Sequence, residues 1–106
     1  MWNVNGTTIK MVEGEYGVDL PLTITGATLT ANDEIRLTIK RGRQGNVVVE
    51  KSYSNIQDNT INVRLTESES SALRVGKYQY SLAWYQEGFF LCYLIEKGLF
   101  EVVDAA

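Results

Sequence analysis

From Ile9 to Lys40 the chain alternates apolar and polar residues twice, with a break rich in Gly, Asn and Asp between the two runs. Alternation with period two places successive side chains on opposite faces of a β-strand. The first short strand is expected over 7–12. After Glu13-Gly14-Glu15, residues Val18, Leu20, Leu22 and Ile24 share one face, while Asp19, Pro21 and Thr23 take the other. Pro21 has no N–H to give to a ladder, so this strand is expected at an edge or with a bulge. A loop follows from Gly26 to Asp33. Ile35, Leu37 and Ile39 then alternate with Arg36, Thr38 and Lys40, and a turn over 41–46 with two glycines returns into Val47 to Tyr53. Asn55 to Asn59 turns again, and Ile61, Val63 and Leu65 form the inward set of the next strand.

At Thr66 the period changes. Thr66-Glu67-Ser68-Glu69 fits a capping box, so one or two helical turns to about Arg74 are expected, ended by Gly76. In Lys77 to Tyr85, residues Tyr78, Tyr80, Leu82 and Trp84 point one way. Gln86-Glu87-Gly88 is a hairpin turn, and Phe89 to Val103 supplies the closing strand, bent or bulged at Lys97-Gly98. About seven short strands with turn signals between them, and one short helix near 66–75, predict an all-β, immunoglobulin-like antiparallel β-sandwich forming one domain over residues 1–106. Tyr78 is the candidate for a tyrosine corner, in which a phenol bonds to backbone just upstream; simple core packing of Tyr78 and Tyr80 is the alternative.

Composition narrows the function more by exclusion. The chain has 106 residues, 44% hydrophobic and 22% charged, enough for a core without metal or disulfides. The net charge of −3 argues against non-specific nucleic-acid binding, which needs clustered Lys and Arg. There is no histidine and one cysteine, Cys92, which removes Ser-His and Cys-His nucleophilic sites and most zinc geometries. Cys92 has no His or basic neighbour to activate it and reads as an inert, small apolar residue. No secretory signal is visible in MWNVNGTTIK, and no run approaches the ~18 apolar residues of a membrane span. Glu13, Glu15 and Asp19, and separately Asp33 with Glu34, offer oxygen ligands for Ca²⁺ but lack the spacing of a ligand loop. No cofactor is expected. Lys40, Arg41 and Arg43 read as a solvated turn, and a two-carboxylate glycosidase lacks a cleft in a domain of this size.

One segment departs from a half-buried strand. Phe89-Phe90-Leu91-Cys92-Tyr93-Leu94-Ile95 is apolar on both faces. Strict alternation sends Phe89, Leu91, Tyr93 and Ile95 to the core and leaves Phe90, Cys92 and Leu94 outward. Either the N-terminal arm (Trp2, Val4) or the long hairpin covers them, or they form a subunit interface together with Tyr85 and Trp2. A rival use of this end is a carbohydrate platform built from Trp84, Tyr85 and Phe89.

The segment IKMVEGEYGVDLPLTITG, the Asp33-Glu34 lead into IRLTIK, the L-x-x-G-x-Y-x-Y strand from Leu73 and the closing GLFEV together resemble the immunoglobulin-like opening domain of phage baseplate upper proteins. The likeness spans nearly the whole chain through loose motifs. It implies a non-enzymatic virion structural module of the baseplate or tail, with other phage structural proteins or itself as partner. It also implies residence in the host cytoplasm before assembly and in the virion afterwards. Members usually continue into a helical or receptor-proximal region that this sequence lacks.

Overall fold

The computed structural model describes residues 8–17, 19–24, 28–41 and 45–104, together with the backbone of 3–5. Among them are eight strands and one helix: β1 (Asn3–Asn5), β2 (Thr8–Val12), β3 (Leu20–Thr23), β4 (Asp33–Lys40), β5 (Val47–Tyr53), β6 (Thr60–Val63), α1 (Glu67–Ala72), β7 (Gly76–Gln86) and β8 (Phe89–Val103). Six strands form one sheet in the order β1-β2-β8-β7-β4-β5, and β3 pairs with β6 in a second. The chain is therefore an all-β, sandwich-like fold with one short helix, as its alternation predicts. β1, the strand not foreseen, pairs antiparallel with β2.

One pairing departs from the antiparallel expectation. β2 runs parallel to β8, with Ile9 beside Phe100 and Val12 beside Val103. These strands lie at opposite ends of the sequence, so no tight hairpin constrains their direction.

The core lies between the sheets. Ile35, Leu37 and Ile39 of β4, Tyr78, Tyr80 and Leu82 of β7, Phe100 and Val102 of β8, and Ile9 and Met11 of β2 are all buried. They meet Leu20, Ile61 and Val63 of the small sheet, with Ile24, Leu65 and Leu73 beside it. β4 alternates along its length as a central strand with one buried face should. Pro21 sits in β3, whose only strand neighbour among the described residues is β6, so the missing donor costs no ladder bond there. Val18 and Gly26 lie outside the described residues.

Two local devices fix the crossover between the sheets. In the capping box, the Glu69 amide donates to Thr66 Oγ1 at 3.2 Å and the Thr66 amide donates to Glu69 Oε1 at 2.8 Å. Lys51 Nζ reaches the same carboxylate oxygen at 2.8 Å, fastening α1 to β5. Burial pushes the Glu69 carboxyl up, but the bonds from Lys51 and Thr66 outweigh it and hold it below its ordinary range. The second device is the tyrosine corner: the Tyr78 hydroxyl donates to the Arg74 carbonyl at 2.9 Å. Tyr80 is a core residue, edge-to-face with Phe100 at 6.4 Å.

α1 ends earlier than expected. Leu73 leaves helical geometry (φ −99°, ψ 90°) to become fully buried, and Gly76 belongs to the start of β7. Core burial of one leucine, rather than a glycine cap, terminates the helix.

The two sheets differ in length. β7 has 11 residues and β8 has 15, against four each in β3 and β6. At ~3.3 Å per residue the long hairpin outruns the small sheet by more than 20 Å. The small sheet can therefore face only part of the hairpin.

Candidate interaction surface

The turn of the long hairpin is set by Glu87 and Gly88, both at positive φ (50° and 84°), the conformation of a two-residue I′ turn. From that turn, β8 pairs with β7 through three register shifts. Tyr85 faces Phe90 but Trp84 faces Cys92, leaving Leu91 as an extra residue. Ala83 faces Tyr93 but Leu82 faces Ile95, leaving Leu94 extra. Glu96 and Lys97 together oppose Ser81, since Tyr80 faces Gly98. Each bulge resets which face the next side chain takes.

The bulges overturn the expected alternation. Residues directly opposite one another share a face. Phe90 and Tyr93 thus join Tyr85 on the outer face, while Phe89, Cys92 and Ile95 lie on the side of Trp84 and Leu82. Phe89, Leu91 and Tyr93, expected in the core, are 75%, 46% and 51% exposed. Ile95 does pack against the core, and so does Leu94, which was expected to face outward. Phe90 (48% exposed) and Cys92 are exposed as expected. Trp2 lies outside the described residues. Five consecutive residues, Phe89 to Tyr93, are exposed on both faces of the strand.

The outer face carries an ordered row. The Arg36 guanidinium lies 3.9 Å from the Tyr85 ring centroid, Tyr85 and Phe90 meet edge-on at 5.5 Å, and Phe90 and Tyr93 at 5.1 Å. Arg36 Nε donates to Glu34, and that bond raises the guanidinium's hold on its proton. The row is thus capped at its polar end and open at its aromatic end. Sequence alternation put Tyr93 in the core and gave no signal for Arg36, whose partner Tyr85 belongs to a different strand.

The base of this end is pinned by Asp33, 2% exposed. Its Oδ2 accepts from the Thr30 amide at 2.6 Å and the Thr30 hydroxyl at 3.2 Å. Its Oδ1 accepts from Trp84 Nε1 at 2.9 Å and Gln86 Nε2 at 3.2 Å. The Thr30 amide, with help from Trp84 and Gln86, outweighs burial and holds the Asp33 carboxyl below its ordinary range. The Glu87 amide adds a bond to the Asn32 carbonyl at 3.3 Å. The 30–33 loop and the end of β7 are one tied unit.

The Ca²⁺ candidates are engaged otherwise. Asp33 is surrounded by hydrogen-bond donors, Glu34 holds Arg36, Asp19 pairs with Arg64 at 2.9 Å, and Glu13 accepts from the Val75 amide at 3.1 Å. Among the described residues no three His, Cys, Asp or Glu side chains assemble as a metal site. Nor do Trp84, Tyr85 and Phe89 make one platform. Tyr85 is on the outer face beneath Arg36, whereas Trp84 is half-buried on the other face with its N–H given to Asp33. Lys40 and Arg41 are exposed at their turn, and Arg43 lies outside the described residues. No helix among the described residues is long and apolar enough to cross a membrane.

Of the N-terminal arm, only the β1 backbone lies among the described residues; Trp2 and the side chain of Val4 do not. β2 lies against β8 only over Phe100–Val103, and β1 lies beyond β2. From Phe89 to Gly98, the edge of β8 away from β7 has no strand neighbour among the described residues. No protein-family model, curated protein or solved structure matches the chain.

Proposed function

We propose that this domain is a non-enzymatic structural module of a phage or prophage particle, of baseplate or tail type, that works by protein–protein contact through the free end of its long hairpin. The observation that carries the interaction reading is the uninterrupted exposure of Phe89, Phe90, Leu91, Cys92 and Tyr93 along a strand edge with no strand neighbour among the described residues. At ~200 Å² for an aromatic side chain, their exposed fractions leave on the order of 400 Å² of apolar surface around this strand end, divided between its two faces. Contiguous apolar surface marks contact sites more than scattered apolar residues do. The edge adds unpaired backbone donors and acceptors, the template for strand addition. The virion assignment rests on the resemblance of the strand motifs to baseplate upper proteins.

The test is incorporation into particles. An epitope-tagged chain expressed during phage production in a lysogen is expected to co-purify with tails, and Phe90→Glu, at an exposed position, to fold normally yet fail to incorporate. A Phe90→Glu chain that enters particles as well as the parent would overturn this use of the surface. A tagged parent chain that never enters particles would overturn the virion assignment.

A further inference from the structure

We infer that the occupant of the free β8 edge is a second copy of this chain, paired antiparallel through the same strand about a two-fold axis at Cys92. The inference rests on the interaction reading above and names its partner.

The first argument is chemical complementarity. The edge presents apolar side chains on both faces, with Phe90 and Tyr93 outward and Phe89 and Cys92 on the side of Trp84. An ordinary half-buried strand added there would set its polar face against one of these sets. A matching strand must itself be apolar on both faces, and β8 is such a strand.

The second argument is symmetry. Isologous pairing places residue i of one copy opposite residue j of the other and the reverse. With Cys92 opposite Cys92, Phe89 falls opposite Ile95, and both already lie on the same side of the sheet. Cys92, on the axis, lies on that side too. Just outside the apolar run, exposed Glu87 of one copy meets exposed Lys97 of the other, twice per dimer. The run from Phe89 to Ile95 is followed by Glu96, which falls opposite Gly88 in this register, and by Lys97, which falls toward the turn residue Glu87.

The cysteine at the axis makes the register measurable. Facing residues of an antiparallel pair have Cβ atoms ~4.5–5.5 Å apart, and a small closing of the strands to ~4.5 Å or less lets an added oxidant join the two thiols. The experiment begins with light scattering of the reduced chain across a concentration series, followed by brief diamide oxidation and non-reducing electrophoresis. A monomer–dimer equilibrium is expected, with a covalent dimer forming only where the non-covalent one is populated. Cys92→Ser should abolish the cross-link and keep the dimer. Leu91→Lys, at an exposed position, should keep the fold by circular dichroism and weaken the dimer roughly tenfold or more. In the Cys92→Ser background, a mixture of differently tagged Leu91→Cys and Tyr93→Cys chains should cross-link to each other in preference to themselves.

A chain that stays monomeric at every concentration overturns the self-pairing. So does a dimer unaffected by Leu91→Lys. Neither result touches the interaction reading, which stands or falls on the incorporation of Phe90→Glu into particles. Cross-linking of each variant with itself, in place of the mixed pair, overturns the register.

Discussion

Asp33 and Gly98 show how much of this fold rests on single side chains. Asp33 gathers donors from two segments, Thr30 in its own loop and Trp84 on β7, 51 residues from Asp33 in the chain. Asp33→Ala would leave a half-buried indole N–H and the Thr30 amide without their acceptor. It is expected to cost ~2–4 kcal/mol, measured by urea unfolding. The pH dependence follows from the direction of its shift. Its folded-state carboxyl titrates below the ordinary value near ~4, so its contribution is complete above that value. It is lost as pH falls through the lower, folded-state value. Glu69 adds in the same direction. Asp33→Asn should therefore lose stability at neutral pH and show a shallower further loss between pH ~4 and 2.

Gly98 faces Tyr80 across the ladder, and a Cβ there would lie 2.3 Å from the tyrosine ring. Tyr80 is 2% exposed and wedged against Phe100, so the ring has little room to yield. Gly98→Ala is expected to destabilise by ~1–3 kcal/mol through overpacking, seen as a lowered denaturation midpoint.

Among the elements, the tyrosine corner is the joint that sequence located and geometry confirms. Tyr78→Phe removes only the hydroxyl that bonds to Arg74 and is expected to cost ~1–2 kcal/mol in a thermal or urea melt. A loss near zero would show that the joint is held by packing alone. Elements whose partners are local were readable: β5 has the bounds its apolar run predicts, and the capping box needs only Thr66 and Glu69. The end of α1 was not, because Leu73 is drawn out of the helix by a core assembled from distant strands. The face assignments of β8 failed for the same kind of reason. Its bulges are defined against β7, and nothing within Phe89–Ile95 itself reveals where a residue will go unpaired. The apolar surplus of that segment was visible in sequence; which of its residues stay in water was not.

At the scale of the molecule, a long six-stranded sheet packs against a two-stranded one with much shorter strands, and apolar residues remain exposed at the turn end of the long hairpin. The buried core and the exposed aromatic residues are thereby separated, with the core toward the β2–β8 pair and the aromatic residues beyond it. The protonation of buried tyrosines should be felt by the whole fold. Burial, with the nearby Glu69 charge, pushes the Tyr53 phenol up to about 12, and burial raises Tyr80 as well. The folded chain therefore holds these protons more tightly than the unfolded one. Their contribution is complete below ~10 and lost as pH climbs from there toward 12. Melting temperature should fall across that range, and less steeply in Tyr53→Phe.

The bond from Trp84 to Asp33 has a consequence in light. An indole whose N–H points at a buried carboxylate sits in a strong local field, and its emission depends on that field. The chain has two tryptophans, so Trp2→Phe leaves a single lamp, near the turn of the long hairpin. Its colour and brightness should change when the carboxylate is protonated or when the strand end peels away, even while circular dichroism still reads a folded sheet. Departure of the two signals from one another would reveal the hairpin end letting go before the core.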